Sequence, residues 1–290
     1  MDAVEQPARA AHPDAPRPRS GALALLASCH PGPTAAVTVL VAGLTVASGV
    51  RAGGCVLATL AVLAGQLSIG WSNDAVDAAR DVAAGRHDKP VAGGAVSASG
   101  VLTAALVAFG LCVPLSLLYG PLAGAVHLAG VAGAWAYNLG LKATVFSALP
   151  YAVGFGSLPA FVALGLPGGP APAWQVVVAA ALLGVGAHLG NVLPDIGDDL
   201  AAGVRGGPQR LGPGAVRLLL PVPLVAATVL LAAGRPGAAG GAGGVVVGVA
   251  LAAAVAGSVV GRRRPRVPFL TAILVAGVDV VLLLWQGAAS

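Results

Sequence analysis

Beyond residue 20 the chain holds eight acidic residues, and seven of them fall into two groups: Asp74, Asp77, Asp81 and Asp88, then Asp195, Asp198 and Asp199. Grouped carboxylates repel one another and are disfavoured without a cation to hold. Their spacing repeats, because Asn73-x3-Asp77-x3-Asp81 is matched by Asn191-x3-Asp195-x3-Asp199. At about 100° per residue, positions i, i+4 and i+8 share one face of a helix. Gln66 and Gly70 continue the first face, and His188 continues the second. The likeness persists downstream: Asp81-Val-Ala-Ala-Gly-Arg86 resembles Asp199-Leu-Ala-Ala-Gly-Val-Arg205, and Pro90 and Pro208 come after them. One element is used twice. Hard carboxylate oxygens suit Mg2+, which keeps several waters and bridges to phosphate, while Arg and Lys neutralise the remaining phosphate charge. The implied ligand is therefore a diphosphate. Lys142, with Tyr137 and Asn138, lies in a connection on the same side and is expected to join the head-group site.

The elements that must carry these residues are membrane helices. Of 290 residues, 57% are apolar and 9% charged, with mean hydropathy +0.88. An ordinary soluble domain carries roughly 25% charge, so a soluble globular protein is excluded. The chain divides into nine apolar runs, approximately 33–49, 53–73, 97–117, 121–138, 144–165, 173–193, 214–233, 240–260 and 268–286. Each is near the roughly 17 to 25 residues that a bilayer requires. None alternates apolar and polar residues, which argues against a β-barrel. A short apolar piece, 22–28, precedes Pro31 and Pro33 and is expected in the interface. Residues 1–20 are polar and Pro-rich without an apolar core, so they read as a disordered tail rather than a signal peptide. Residues 21–290 then form one membrane-embedded domain.

Nine spans place the chain ends on opposite sides of a cell membrane, and the basic residues decide which. With the N-terminus cytoplasmic, Arg9, Arg17, Arg19, Arg80, Arg86, Lys89, Lys142, Arg205, Arg210, Arg217, Arg262, Arg263, Arg264 and Arg266 lie inside, 14 of the 16 basic residues. Both carboxylate faces then end at the cytoplasmic surface and confront each other across a cavity. The basic run 262–266 reads as an anchor at anionic lipid headgroups, and no nucleic-acid partner is expected. Cys29, Cys55 and Cys112 form no metal pattern and read as small packed side chains. His127 reads as a packing histidine. Asp279 falls mid-span, where an acid is expensive, without an evident partner. Tyr151 and Phe155 share a face suited to cation–π contact. Pro194 should kink or end its helix.

At these residues the chain resembles the UbiA superfamily of intramembrane prenyltransferases. The family pattern NDxxDxxxD stands as Asn73-Asp74-Ala-Val-Asp77-Ala-Ala-Arg-Asp81, its extension as Arg86-His-Asp88-Lys89-Pro90-Val-Ala-Gly93, and its DxxxD motif as Asp195-Ile-Gly-Asp198-Asp199. Lys89 stands where Arg is usual, and 205–210 lacks the Lys/Arg–Thr step of many members. The resemblance covers nearly everything after residue 20. It implies an all-α, polytopic, UbiA-like bundle around a central cavity, and Mg2+-dependent transfer of a prenyl group from a prenyl diphosphate to an acceptor, such as an aromatic or quinone precursor. Asp74, Asp77, Asp81, Asp195 and Asp199 would be the metal-binding, catalytic carboxylates. Asn73, Arg86, Asp88, Lys89, Tyr137, Asn138, Lys142, His188, Asn191 and Arg205 would bind substrate. A terpene cyclase of the same fold is one alternative. A cation transporter is another, though its acids would normally lie near the bilayer midplane.

Overall fold

In the computed structural model, residues 21–234, 242–260 and 267–288 are described. The expected tail 1–20 and the basic run 262–266 lie outside them. Helices come in the order α1 (Gly21–Ser28), α2 (Pro31–Ala47), α3 (Ala52–Ala83), α4 (Ala98–Tyr119), α5 (Pro121–Asn138), α6 (Leu149–Leu164), α7 (Trp174–Val192), α8 (Ile196–Ala201), α9 (Gly207–Leu219), α10 (Pro221–Ala233), α11 (Ala242–Val260) and α12 (Val267–Gln286). Among the described residues there is no strand. The fold is the expected all-α bundle of apolar helices.

The edges differ from the hydropathy reading where polar side chains find partners. The second apolar run stops near residue 73, yet α3 continues to Ala83, because the acids that end the run are neutralised by side chains packed against the helix. After Pro194, which offers no N–H, the chain tightens into a 3-10 turn, Leu193–Asp195, before α8. The segment 22–28 is helical and meets α2 at 64°, while α9 meets α10 at 46°. By length and apolarity α3, α4 and Trp174–Ala201 each suffice to cross a bilayer, and the two bent pairs bring the number to five. α6 and the apolar parts of α11 and α12 are shorter. The nine expected crossings therefore exceed what length and composition alone support.

Three apolar clusters hold the bundle. Val41, Leu44, Val62 and Phe161 join α2, α3 and α6. Ala64, Cys112 and Val131 join α3, α4 and α5. Leu183, Leu224, Leu231 and Leu283 join α7, α10 and α12. Asp279 is fully buried on α12 and does have a partner: Thr228 Oγ1 of α10 lies 2.6 Å from its Oδ1.

Candidate active site

Three acids of the first group are buried although they sit at a helix end. Asp74, Asp77 and Asp81 of α3 are only 3%, 5% and 4% exposed, a burial that carboxylates tolerate only when paired. Each is paired. Lys89 Nζ lies 2.7 Å from Asp81 and 3.6 Å from Asp74. His30 Nε2 lies 3.2 Å from Asp74. Arg80 reaches Asp77 at 2.8 Å, and Lys142 donates to the other oxygen of the same carboxylate. Burial pushes the Lys142 ammonium below its ordinary range, and the adjacent Asp77 opposes that fall. Asn73 donates to Asp77 at 3.3 Å and to Asn138 at 3.2 Å. Asn138 in turn donates to Ile69 O and Ser72 Oγ, which locks α5 onto α3.

The second group is more open. Asp195 lies in the 3-10 turn and Asp199 on α8, which Ile196, 2% exposed, anchors in the core. Among the described residues neither forms an ion pair. Asp199 accepts from Gln209 Nε2 at 2.8 Å. Gln209 is held by a backbone clamp in which Gly207 N–H faces Thr144 O at 3.1 Å and Ser147 Oγ at 3.2 Å. Gly206 must be glycine there, since a Cβ would stand 2.4 Å from Lys142 O. The turn carrying Lys142 and the turn carrying Gln209 are thus one packed unit.

Both groups face a single cavity of about 520 Å³. Its polar end holds Asp77, Asp195, Asp199, Arg80, Arg86, Lys89 and Lys142, with Asn73, Tyr137, Asn138, Asn191 and Gln209 beside them. Toward the other end stand Val37, Ile69, Val131, Phe155 and Leu158. Tyr151 also lines it, edge-on to Tyr137 at 5.3 Å. Asp74 and Asp81 sit behind this surface and reach it through His30 and Lys89.

Several expected residues are elsewhere. Asp88 and Arg205 are exposed and do not line the cavity. Gly85 and Gly203, both left-handed at φ 70 and 79, turn the chain out of its helix before Asp88 and Arg205. His188 is 1% exposed and lies behind the cavity wall. It bonds Ser147 at 3.1 Å and packs on Tyr137 and Tyr151. Arg80, His30 and Gln209 were not expected. Arg80 stands three residues after Asp77 on a helix, which is a readable signal. His30 comes from the α1–α2 junction, with left-handed backbone at φ 54, and nothing in the sequence ties it to Asp74.

Asp77, Asp195 and Asp199 supply the hard oxygen donors that Mg2+ takes. Among the described residues no three His, Cys, Asp or Glu side chains form a ready cage; Mg2+ takes part of its shell from water and substrate oxygens. The donor set therefore fits Mg2+, and the cations beside it fit a diphosphate.

The chain matches the UbiA prenyltransferase family over residues 33–283. Among solved structures it is similar to a UbiA homologue from Aeropyrum pernix K1, with 19% identity, TM-score 0.65 and coverage of 84% of this chain and 96% of that one. A UbiA homologue from Archaeoglobus fulgidus bound to GPP and Mg2+ gives 16% identity, TM-score 0.65 and coverage of 91% and 99%. A structure described for digeranylgeranylglyceryl phosphate synthase gives 14% identity, TM-score 0.67 and coverage of 93% and 99%. Comparison with curated protein sequences finds no match. At these identities the structural likeness establishes the fold, and the family match over most of the chain establishes kinship. The chain belongs to the UbiA prenyltransferase family.

Proposed function

We propose that the protein transfers a prenyl group from a prenyl diphosphate, with Mg2+, to an electron-rich acceptor in the membrane, such as an aromatic or quinone precursor. One observation carries the reading: a single cavity has carboxylates of both acidic groups and four cationic side chains at one end, and apolar walls beyond. That is the complement of an amphiphile with an anionic head. Archaeoglobus fulgidus homologues bound to GPP and Mg2+, and to DMAPP and Mg2+, support it.

In this reading Asp77, Asp195 and Asp199 hold Mg2+, which supplies Lewis-acid stabilisation of the charge on a departing diphosphate. Lys89, Lys142, Arg80 and Arg86 neutralise the remaining phosphate oxygens, and Asn73 and Asn191 fix the head group. Phe155 keeps water from the reacting carbon and Val131 and Leu158 line the tail beyond it, while the rings of Tyr137 and Tyr151 offer π faces to developing positive charge. Asp88 and Arg205 remain outside the substrate contacts. The reading includes a multi-pass protein of the cell membrane in which residues 21–290 are the catalytic domain and the N-terminus and the polar mouth are cytoplasmic.

The test is incubation of purified protein in lipid with prenyl diphosphates, Mg2+ and candidate acceptors, then assay of diphosphate and mass spectrometry of the lipids. Mg2+-dependent diphosphate release with a prenylated acceptor supports transfer. Cyclised hydrocarbon formed without acceptor would identify a cyclase, and ion flux without diphosphate release a transporter.

A further inference from the structure

The inner end of the cavity is not purely apolar. On four of the lining helices the lining residue farthest from the carboxylates marks its floor: Val37 on α2, Gln66 on α3, His127 on α5 and Leu158 on α6. Gln66 makes no hydrogen bond within the described residues. His127 is pinned, with Nδ1 2.8 Å from Ser116 Oγ, while Ser116 gives its single proton to Cys112 O at 2.7 Å. The Nδ1 proton of a neutral ring therefore points to Ser116, and Nε2 is left as an acceptor without a partner among the described residues. Behind His127 the floor is solid, since Phe161 stacks on it at 4.7 Å and Tyr119 packs on Phe161 at 4.7 Å. The imidazole also touches the wall beside Gln66, where a Cβ on Gly65 would stand 3.5 Å from its Cε1.

We infer that Gln66 and His127 set the length of the prenyl donor, limiting it to about three isoprene units; this rests on the diphosphate reading of the polar end. Gln66 precedes Asp77 by eleven residues on one helix, an axial distance of about 16 Å at roughly 1.5 Å per residue. With carbon–carbon bonds of about 1.5 Å an extended isoprene unit runs roughly 5 Å; a diphosphate that bridges Asp77 to Asp195 and Asp199 lies across the cavity and takes little of that length, so the tail meets the floor after about three units. A fourth unit has to displace a ring backed by two further rings, or cover an amide and an imidazole nitrogen that an apolar tail cannot satisfy. A donor of fifteen carbons or fewer leaves both groups free to keep water.

The test measures binding of non-hydrolysable thiodiphosphate analogues with five, ten, fifteen and twenty carbons to the full-length protein in nanodiscs, with Mg2+, by calorimetry. Affinity should rise to fifteen carbons and fall at least tenfold at twenty. His127→Ala, which opens space, and Gln66→Leu, which removes the unsatisfied amide without touching the core, should each shrink that preference at least threefold. Equal affinity for fifteen and twenty carbons in the wild type, as a tail leaving sideways between helices would give, overturns the length limit while the diphosphate reading stands. A preference unchanged in both variants overturns the assignment to these residues. Failure of every analogue to bind overturns the diphosphate reading and the length limit with it.

Discussion

Gln209 donates its side-chain N–H to Asp199 at 2.8 Å, so a residue with no charge holds in place the carboxylate that closes the second acidic group. The bond fixes one oxygen of Asp199 and leaves the other for the cavity. Gln209→Leu removes a hydrogen bond to a charged group, an interaction of about 1.5–3 kcal/mol, so Mg2+-dependent binding of a thiodiphosphate analogue should weaken about tenfold or more. Gln209→Glu should weaken it further, because a like charge then faces Asp199. Calorimetric titration decides, and a Glu variant that binds as well as the wild type would refute the positioning role.

Asp77 is the most heavily engaged carboxylate, taking Arg80 on one oxygen and Lys142 on the other. Asp77→Ala and Asp195→Ala should each lower diphosphate release by about 10²–10³ or more, as expected when a charge-stabilising group is lost from the reacting centre. Stability separates the two. Asp77→Ala strands the mostly buried Lys142, at a cost of about 3–5 kcal/mol for a broken buried pair. Asp195, without an ion pair among the described residues, should change stability little. Adding Lys142→Met to Asp77→Ala should restore the melting temperature without restoring turnover. Thermal melts and a diphosphate assay on the four proteins check this, and a double variant no more stable than Asp77→Ala would contradict the pairing.

Asp74, Asp77 and Asp81 were legible because they lie on one uninterrupted helix, where spacing translates directly into a shared face. The second group was legible in outline, since Pro194 disturbs only one turn before α8 resumes. Beyond the left-handed Gly85 and Gly203 no helical period applies, and there the family pattern and the likeness of the two elements, not spacing, pointed to Arg86 and Lys89, which line the cavity, and to Asp88 and Arg205, which do not. Legibility failed for contacts between distant segments: His30 on Asp74 and Gln209 on Asp199 depend on helix packing that no local pattern encodes. Hydropathy misjudged α3 because a window of residue types registers Asp77 and Asp81 as polar, blind to the Lys142 and Lys89 that neutralise them.

Asp279 lies in the apolar seam between α10 and α12, away from the cavity. Thr228 has one hydroxyl proton and two acceptors in reach, Leu224 O at 3.1 Å and Asp279 Oδ1 at 2.6 Å. The consistent arrangement is a relay in which a neutral Asp279 donates to Thr228 and Thr228 donates to Leu224 O. Its other oxygen has no partner among the described residues, which a neutral acid tolerates far better than a carboxylate. Asp279→Asn should therefore keep stability within about 1 kcal/mol, since the amide N–H replaces the acid O–H. It should also remove a carboxylic-acid carbonyl band from the infrared difference spectrum at neutral pH. Loss of a carboxylate band instead would show that Asp279 is ionised.

The orientation of the bundle can be tested at three loop positions. α6 leaves the polar end of the cavity at Pro150 and Tyr151, and α7 returns to it at Asn191, so the connection 165–173 lies at the opposite end. Arg86 and Arg205 belong to the connections at the polar end, near Lys89 and Gln209. If basic residues fix the cytoplasmic side, single cysteines at 86 and at the exposed position 205, in a variant whose Cys29, Cys55 and Cys112 are replaced by Ala, should react with an impermeant maleimide only in inside-out vesicles. A cysteine at Gly168, left-handed and in open space, should react only in intact cells. Labelling of all three from one side would remove the separation of the two ends across a bilayer, and the reversed pattern would put the diphosphate mouth on the outer face, out of reach of a cytoplasmic donor.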